Sequence, residues 1–416
     1  MLNIDGQPQK VFHETVCKVL EQCQSCPMLE LDYRDQLVFK SNDFRKKLAD
    51  SGLSFKNAVA DCLPSPDRLG YRHNAKLVVT DKFINREKRF INIGLYKPGT
   101  HHVVDVGECP IQHDRLNKIL VWLRTAIREH NLSVYDERTK QGLLRYVTIR
   151  TAYRTKDTII TLVVSAEDKL KLRPFARSLK ERFGFIVGVL MHLNDSTGNA
   201  IYQTQFDNDS AENAASGQTS LLVGQDFLQD SISNLDLRVS ATSFFQVNPA
   251  VAERAYFRMM EWLAPKPGER GLDLYCGVGS LALLMAKAGC TVTAIEETPS
   301  SIADAHENAL VNSLHHIDFQ AGRAEGVLPQ LQAQGKLTKA DIIALNPSRR
   351  GCQPEVLTAL ADLKPRAIAY MSCNTETLLR DLRQLEQLGF VARSFELYDM
   401  FPGSRHYEVV TLLTPR

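Results

Sequence analysis

Leu272-Asp273-Leu274-Tyr275-Cys276-Gly277-Val278-Gly279-Ser280 decides the fold of this chain: an apolar strand enters a Gly-x-Gly turn, and the turn opens a helix. Glycine lets the backbone approach a ligand closely, and a helix N-terminus offers N–H groups without intrahelical acceptors. Seventeen residues past Gly279, Glu296 ends the next apolar strand, where a carboxylate can accept both hydroxyls of a ribose. Ala282 stands where a dinucleotide fingerprint has its third glycine. The motif reads as a nucleoside-cofactor site and leaves NAD and S-adenosylmethionine both open.

Strand and helix patterns alternate on either side of this turn. The spacing predicts strands at 271–275, 291–295, 342–345 and 367–372, with helices at 280–288, 300–314, 354–363 and 375–388. Closing strands are expected near 393–397 and 407–413. Such alternation argues for a doubly wound, largely parallel sheet over 241–416. Upstream, residues 10–62 read as helical around cysteines, and short β-type runs follow at 77–79, 90–96 and 102–106. A helix over 114–129 is expected from Leu116, Ile119, Leu120, Trp122 and Leu123 on one face. Strands at 145–151 and 158–164, a helix at 170–183 and a strand at 186–194 complete this half, and 194–218 reads as a polar loop.

With 416 residues, two or three domains are expected. The 44% hydrophobic and 24% charged residues exclude disordered, collagenous and disulfide-scaffold chains. No apolar run is long enough for a membrane-spanning helix, and Met1 to Lys10 is too polar for a secretory signal, so a cytoplasmic protein is expected. Nine cysteines are odd in number and dilute, which suits thiols, ligands or nucleophiles in a reducing compartment. The net charge of +2 divides unevenly: 33 basic against 29 acidic residues over 1–240, then 17 against 19 over 241–416. A polyanion contact is therefore expected in the first 240 residues.

Four further segments end the ambiguity at the glycine turn: Ser243-Phe244-Phe245-Gln246-Val247-Asn248-Pro249, Leu345-Asn346-Pro347-Ser348-Arg349-Arg350-Gly351, Met371-Ser372-Cys373-Asn374 and His406-Tyr407-Glu408. In this order, and with that turn, the chain resembles the S-adenosylmethionine-dependent RNA uracil-C5-methyltransferase family over essentially its whole length. The likeness is nearest to the 23S rRNA branch, in its shorter members without an N-terminal TRAM domain.

The resemblance implies a chemistry that accounts for the residue types. C5 of uracil is a poor nucleophile until a thiolate adds to C6, and a base must later remove the C5 proton. It implies Cys373 as nucleophile and Glu408 as base, with Gln246, Tyr275, Glu296 and Asn346 as cofactor contacts. Tyr275 is expected to pack beside the methionine or ribose moiety. Relatives usually carry a second proline where Ser348 stands, so a freer loop is expected there. Arg349 and Arg350 are read either as solvated charge or as a phosphate or substrate contact.

Cys17, Cys23 and Cys26 cluster, and Cys109 returns from far downstream. Four thiolates suit a 4Fe-4S cluster or an all-thiolate zinc site. The resemblance implies the 4Fe-4S cluster, because the rRNA branch carries one on a matching pattern. Cys62, Cys276, Cys290 and Cys352 read as packed thiols.

Two basic runs carry aromatic residues: Arg68, Arg72, Lys76, Lys82, Arg86, Lys88 and Arg89 with Tyr71, Phe83 and Phe90, then Arg138, Lys140, Arg145, Arg150, Arg154 and Lys156 with Tyr146 and Tyr153. Such mixtures suit looped RNA, where a uracil can be extruded and its neighbours stacked. The expected organisation is an iron–sulfur and basic β region over 1–115, a central α+β RNA-binding region over 116–240, and a Rossmann-like methyltransferase domain over 241–416. RNA is the expected partner, in the form of a looped uridine of 23S rRNA, with no DNA, membrane or protein partner evident. A tRNA uracil-C5-methyltransferase, a non-catalytic RNA-binding assembly factor and an NAD-dependent oxidoreductase are the competing readings.

Overall fold

The computed structural model describes residues 17–83, 89–196, 201–202 and 217–416. Met1 to Lys10, Arg86, Lys88, the side chain of Phe83 and most of the 194–218 loop lie outside the described residues.

In chain order, α1 (Leu20–Cys23) and α2 (Tyr33–Asp50) precede β1 (Asn74–Phe83), β2 (Arg89–Tyr96) and β3 (Val103–Asp105). Then come α3 (Asp114–Glu129), β4 (Leu144–Thr151), β5 (Thr158–Val164), α4 (Lys169–Arg182), β6 (Ile186–Leu193) and β7 (Thr219–Gly224). These strands form one seven-stranded sheet in the order β3-β2-β1-β4-β5-β6-β7, with only β5 and β6 parallel. The expected division at residue 115 falls inside this sheet, since β1 pairs with β4 from Asn74 against Arg150 to Val78 against Tyr146.

A hairpin of β8 (Phe227–Ile232) and β9 (Leu235–Ser240) leads to α5 (Pro249–Leu263). The second large unit continues through β10 (Arg270–Leu274), α6 (Ser280–Lys287), β11 (Thr291–Glu296), α7 (Pro299–Val311), β12 (Ile317–Ala321), α8 (Ala324–Ala333) and β13 (Ile342–Leu345). It ends with α9 (Pro354–Asp362), β14 (Ala367–Ser372), α10 (Thr375–Gln387), β15 (Phe390–Tyr398) and β16 (Glu408–Pro415). Its sheet runs β12-β11-β10-β13-β14-β16-β15, parallel except for β16, which is antiparallel to both of its neighbours. The order reverses between β10 and β13. Open α/β sheets bind ligands at such a switch point, beyond the carboxyl ends of the strands.

The central strands are apolar because helices cover both faces. One core cluster joins α5, α6 and α7 to the sheet through Ala252, Met259, Leu283, Ala305 and Ala344. The other joins α2, α8, α9 and α10 through Phe44, Leu328, Leu357, Leu382 and Ile343. The doubly wound reading of 241–416 holds. The sequence reading missed α5, β12 and α8 as well as the β7–β9 strands. Residues 51–62, expected to be helical, hold no helix. Among the described residues no helix is long and apolar enough to cross a membrane.

Candidate active site

The glycine turn adopts the conformation its residues were chosen for. Gly277 and Gly279 have φ of 55° and 88°, and Tyr275 between β10 and the turn has φ of 64°. Such positive values are rare outside glycine. The Glu296 carboxylate, at the end of β11, accepts from the Gly277 N–H at 3.0 Å and the Thr298 N–H at 2.8 Å. Asp273 is fully buried; one of its oxygens accepts from the Ala282 N–H at 2.8 Å and the other has no partner. Burial pushes its carboxyl up to about 8. An acidic lip with an unpartnered buried oxygen, beside a positive-φ glycine turn, fits the ribose and the cationic end of S-adenosylmethionine.

Gln246 and Asn346 both reach the hydroxyl of Tyr256 on α5, which burial pushes up and which also feels Asp273 and Glu408. Tyr256 therefore sits between the glycine turn and the carboxyl expected to be the base. No sequence motif marked it, because α5 itself was not recognised. The segment carrying Gln246 is pinned from two sides. Arg150 donates to the carbonyls of Ser240 (2.8 Å) and Ser243 (2.5 Å), while buried Asp304 on α7 accepts from the Ser240 N–H and the Ser243 hydroxyl, both at 2.7 Å. Asn248 then caps α5 by accepting from the Val251 N–H, with Pro249 in the first turn.

Cys373 follows β14 and Glu408 begins β16. The antiparallel register sets Ser372 against Val409, which carries Cys373 level with Glu408 on the same side of the ladder. Burial raises the Cys373 thiol, the neighbouring Glu408 raises it further, and the Arg349 guanidinium pulls it down. Glu408 is 3% exposed; burial pushes its carboxyl up to about 8 against the pull of the same arginine. Asn374 caps α10 by accepting from the Glu376 N–H, and its amide donates to the Arg349 carbonyl at 2.9 Å. Ser-Cys-Asn thus orients both the thiol and the arginine loop. At Ser348, where a freer backbone was expected, a turn closes the loop: the Gly351 N–H donates to the Ser348 carbonyl at 3.0 Å. Arg349, read as solvated charge or as a phosphate or substrate contact near the active site, stands beside the thiol and the carboxyl.

Tyr275, expected to pack beside the cofactor, is half-buried at the turn. Its ring packs against the core shared by α2 and α8–α10, and its buried hydroxyl lies beside the Cys352 thiol. Cys62, Cys276, Cys290 and Cys352 are all buried, as packed thiols should be.

Cys17, Cys23, Cys26 and Cys109 line one cavity, with Leu29, Arg72 and Ile111 also in its wall. Gln24, at φ of 55°, turns the chain between Cys23 and Cys26. Asn117 on α3 holds Cys109 by bonding both its N–H and its carbonyl. Among the described residues no group of three or more His, Cys, Asp or Glu side chains is gathered to hold a metal ion. The four thiols lie instead around a wider space.

The basic runs are only partly exposed. Arg145 and Arg150 are buried against backbone carbonyls, Arg68 donates to the carbonyls of Leu29 and Leu31, and Arg89 pairs with Asp81. Tyr71 and Tyr146 are buried, so neither is a stacking platform; the Tyr71 hydroxyl donates to the Pro402 carbonyl at 3.1 Å. Lys82, Phe90, Arg138 and Lys140 stay exposed, as do Lys76 over the Tyr202 ring and Arg154 over the Tyr153 ring, with Lys156 half-buried beside it.

The profile of the tRNA (Uracil-5-)-methyltransferase family matches residues 205–416. The chain is 32% identical to an uncharacterized RNA methyltransferase of Geobacter sulfurreducens, over 96% of its own length and 77% of the relative's. It is also 32% identical to one of Gloeobacter violaceus, over 99% and 84%. The fold matches the crystal structure of Pyrococcus abyssi tRNA (uracil-54, C5)-methyltransferase in complex with S-adenosyl-L-homocysteine with a TM-score of 0.71 and 24% identity, covering 94% of this chain and 86% of that one. With a profile match across its C-terminal half and relatives 32% identical along nearly its whole length, the chain belongs to the RNA uracil-C5-methyltransferase family.

Proposed function

We propose that this enzyme methylates C5 of a looped uridine in 23S rRNA, with Cys373 as nucleophile and Glu408 as base. The observation that carries the reading is the pairing of Cys373 and Glu408 across the β14–β16 ladder, beside the glycine turn at the switch point. The Cys373 thiolate adds to C6 of the uracil, and the C5–C6 π electrons move onto C5 and the O4 carbonyl. S-adenosylmethionine, when bound, supplies the methyl group that C5 takes, and S-adenosylhomocysteine departs. Glu408 then takes the C5 proton, the electrons of that bond re-form C5=C6, and the C6–S bond breaks to return the thiolate. Arg349 favours the charged forms of both groups, and Gln246, Glu296, Asn346 and the backbone of Tyr275 hold the cofactor.

The 23S rRNA assignment rests on the four cysteines. A 4Fe-4S cluster needs four thiolates spread around a space larger than one ion, and Cys17, Cys23, Cys26 and Cys109 supply them. Burial raises the Cys26 and Cys109 thiols, and the nearby Arg72 guanidinium pulls against that rise, as a cation beside an anionic cluster would. The cluster would hold the N-terminal segment against the first sheet, with Arg154, Lys156 and Tyr153 on the RNA-facing side; methyl transfer does not route through it. Anaerobically purified protein should carry a broad visible absorbance near stoichiometry that Cys26→Ser removes.

The deciding experiment supplies S-adenosylmethionine and either unmodified 23S rRNA or unmodified tRNA, and maps 5-methyluridine by mass spectrometry. Product on 23S rRNA alone supports the assignment. Product on tRNA alone keeps the mechanism and overturns the substrate.

A further inference from the structure

The buried face of α2 is polar. Gln36, Lys40 and Ser41 are each fully buried, beside Phe44. A helix normally buries an apolar stripe, so polar side chains there need specific partners. Ser41 donates to the Leu37 carbonyl and accepts from the Cys62 N–H, whereas Gln36 and Lys40 find partners in the segment that leads to Glu408. Gln36 accepts from the Gly403 N–H at 2.8 Å. One turn on, Lys40 donates to the Asp399 carboxylate at 2.5 Å and to the Phe401 carbonyl at 3.1 Å, and both partners of this ion pair are fully buried. Another turn on, Asp43 accepts from the Tyr407 hydroxyl at 2.7 Å, and that hydroxyl accepts in turn from Thr375 at 3.0 Å.

Tyr407 precedes Glu408, and Thr375 lies two residues beyond Cys373. One tyrosine therefore joins α2 to both halves of the catalytic pair. The preceding segment closes the cradle from the other side: the Met28 N–H donates to the Gly403 carbonyl at 2.8 Å, and Tyr71 donates to Pro402. Such bonds are directional and buried, unlike apolar packing, which tolerates small slips.

We propose that α2 is a positioning element for catalysis: Gln36, Lys40 and Asp43 hold residues 399–407 so that Glu408 meets the C5 proton of the uracil bound at Cys373. The inference rests on the assignment of Glu408 as base. None of the three touches the substrate; each acts through the 399–407 segment.

The test compares Glu408→Gln, Tyr407→Phe, Lys40→Met and the double variant Lys40→Met/Asp399→Leu, on whichever unmodified RNA the wild type turns over. The double variant leaves no unpaired buried charge, so it folds even where Lys40→Met does not. In it and in Tyr407→Phe, kcat should fall about tenfold or more while KM for RNA and for S-adenosylmethionine stays within about twofold. The fraction of gel-stable protein–RNA adduct should rise, because proton removal is the slowed step. Wild-type kcat and adduct fraction in folded double variant and Tyr407→Phe would overturn the proposal. If Glu408→Gln traps adduct and these variants do not, α2 alone has been misread. If Glu408→Gln traps none and turns over normally, the base assignment falls and takes the positioning role with it.

Discussion

Glu408 lies level with Cys373 at the edge of the β14–β16 ladder, and it adds to the cost that burial sets on ionising the Cys373 thiol. A thiol and a carboxyl so close cannot both be charged cheaply in a buried crevice, and Arg349 is the cation that offsets this. The pair is thus poised for sequential use: the thiolate is needed when C6 is attacked, the carboxylate only when the C5 proton leaves.

The first prediction separates chemistry from binding. Cys373→Ala should abolish methylation while S-adenosylhomocysteine affinity stays within about twofold, since the thiol meets the uracil and not the cofactor. Isothermal titration and a methyl-transfer assay check both halves. Methylation at the wild-type rate would remove Cys373 from the mechanism.

Glu408→Gln keeps the shape of the side chain and removes its basicity. Methyl transfer should proceed once and the adduct should persist, visible as a protein–RNA band that resists denaturing electrophoresis. Turnover should drop by about 10²-fold or more, the typical contribution of a positioned base. Full turnover without an adduct would refute the assignment.

The Rossmann-like half was legible because its strands are short apolar runs at regular spacing and its turn carries glycines at fixed offsets. Cys373 and Glu408 were reachable only through the motif order, since nothing local to either residue says that β14 and β16 are neighbours. The role of α2 was illegible for a physical reason: its buried face is Gln36, Lys40 and Ser41, which periodicity reads as solvent-facing. Arg150 and Tyr71 misled in the opposite direction. Their residue types suit RNA, but the fold spends them on the carbonyls of Ser240, Ser243 and Pro402.

Arg349→Gln should move the pH dependence rather than simply lower the rate. Arg349 pulls the pKa of both Cys373 and Glu408 down and so favours their charged forms, and its loss raises both pKa values. The acidic limb of kcat/KM, already expected to climb toward about 8 with Glu408, should shift to higher pH. Partial recovery of the variant at alkaline pH is the signature; an unshifted limb with uniformly reduced rate would mean Arg349 only holds the loop.

Stability should carry the mark of the two buried carboxyls. Asp273 and Glu408 are each pushed up to about 8 by burial, from ordinary values of 3.8 and 4.5. The folded protein therefore holds protons that the unfolded chain has released between those values. Stability from both groups is complete at low pH and is lost as pH rises through about 8. His73 and His192, lowered by burial to about 3 and about 4, act in the opposite sense and cost stability only on acidification below their ordinary value of 6.5. Between about pH 6.5 and 8 the carboxyls should dominate, and urea unfolding should show stability falling by on the order of 1–2 kcal/mol for each. Asp273→Asn and Glu408→Gln, which stay neutral throughout, should each flatten part of that slope. A wild-type curve that is level across this window, or variants that keep the full slope, would show that neither carboxyl is protonated in the free enzyme.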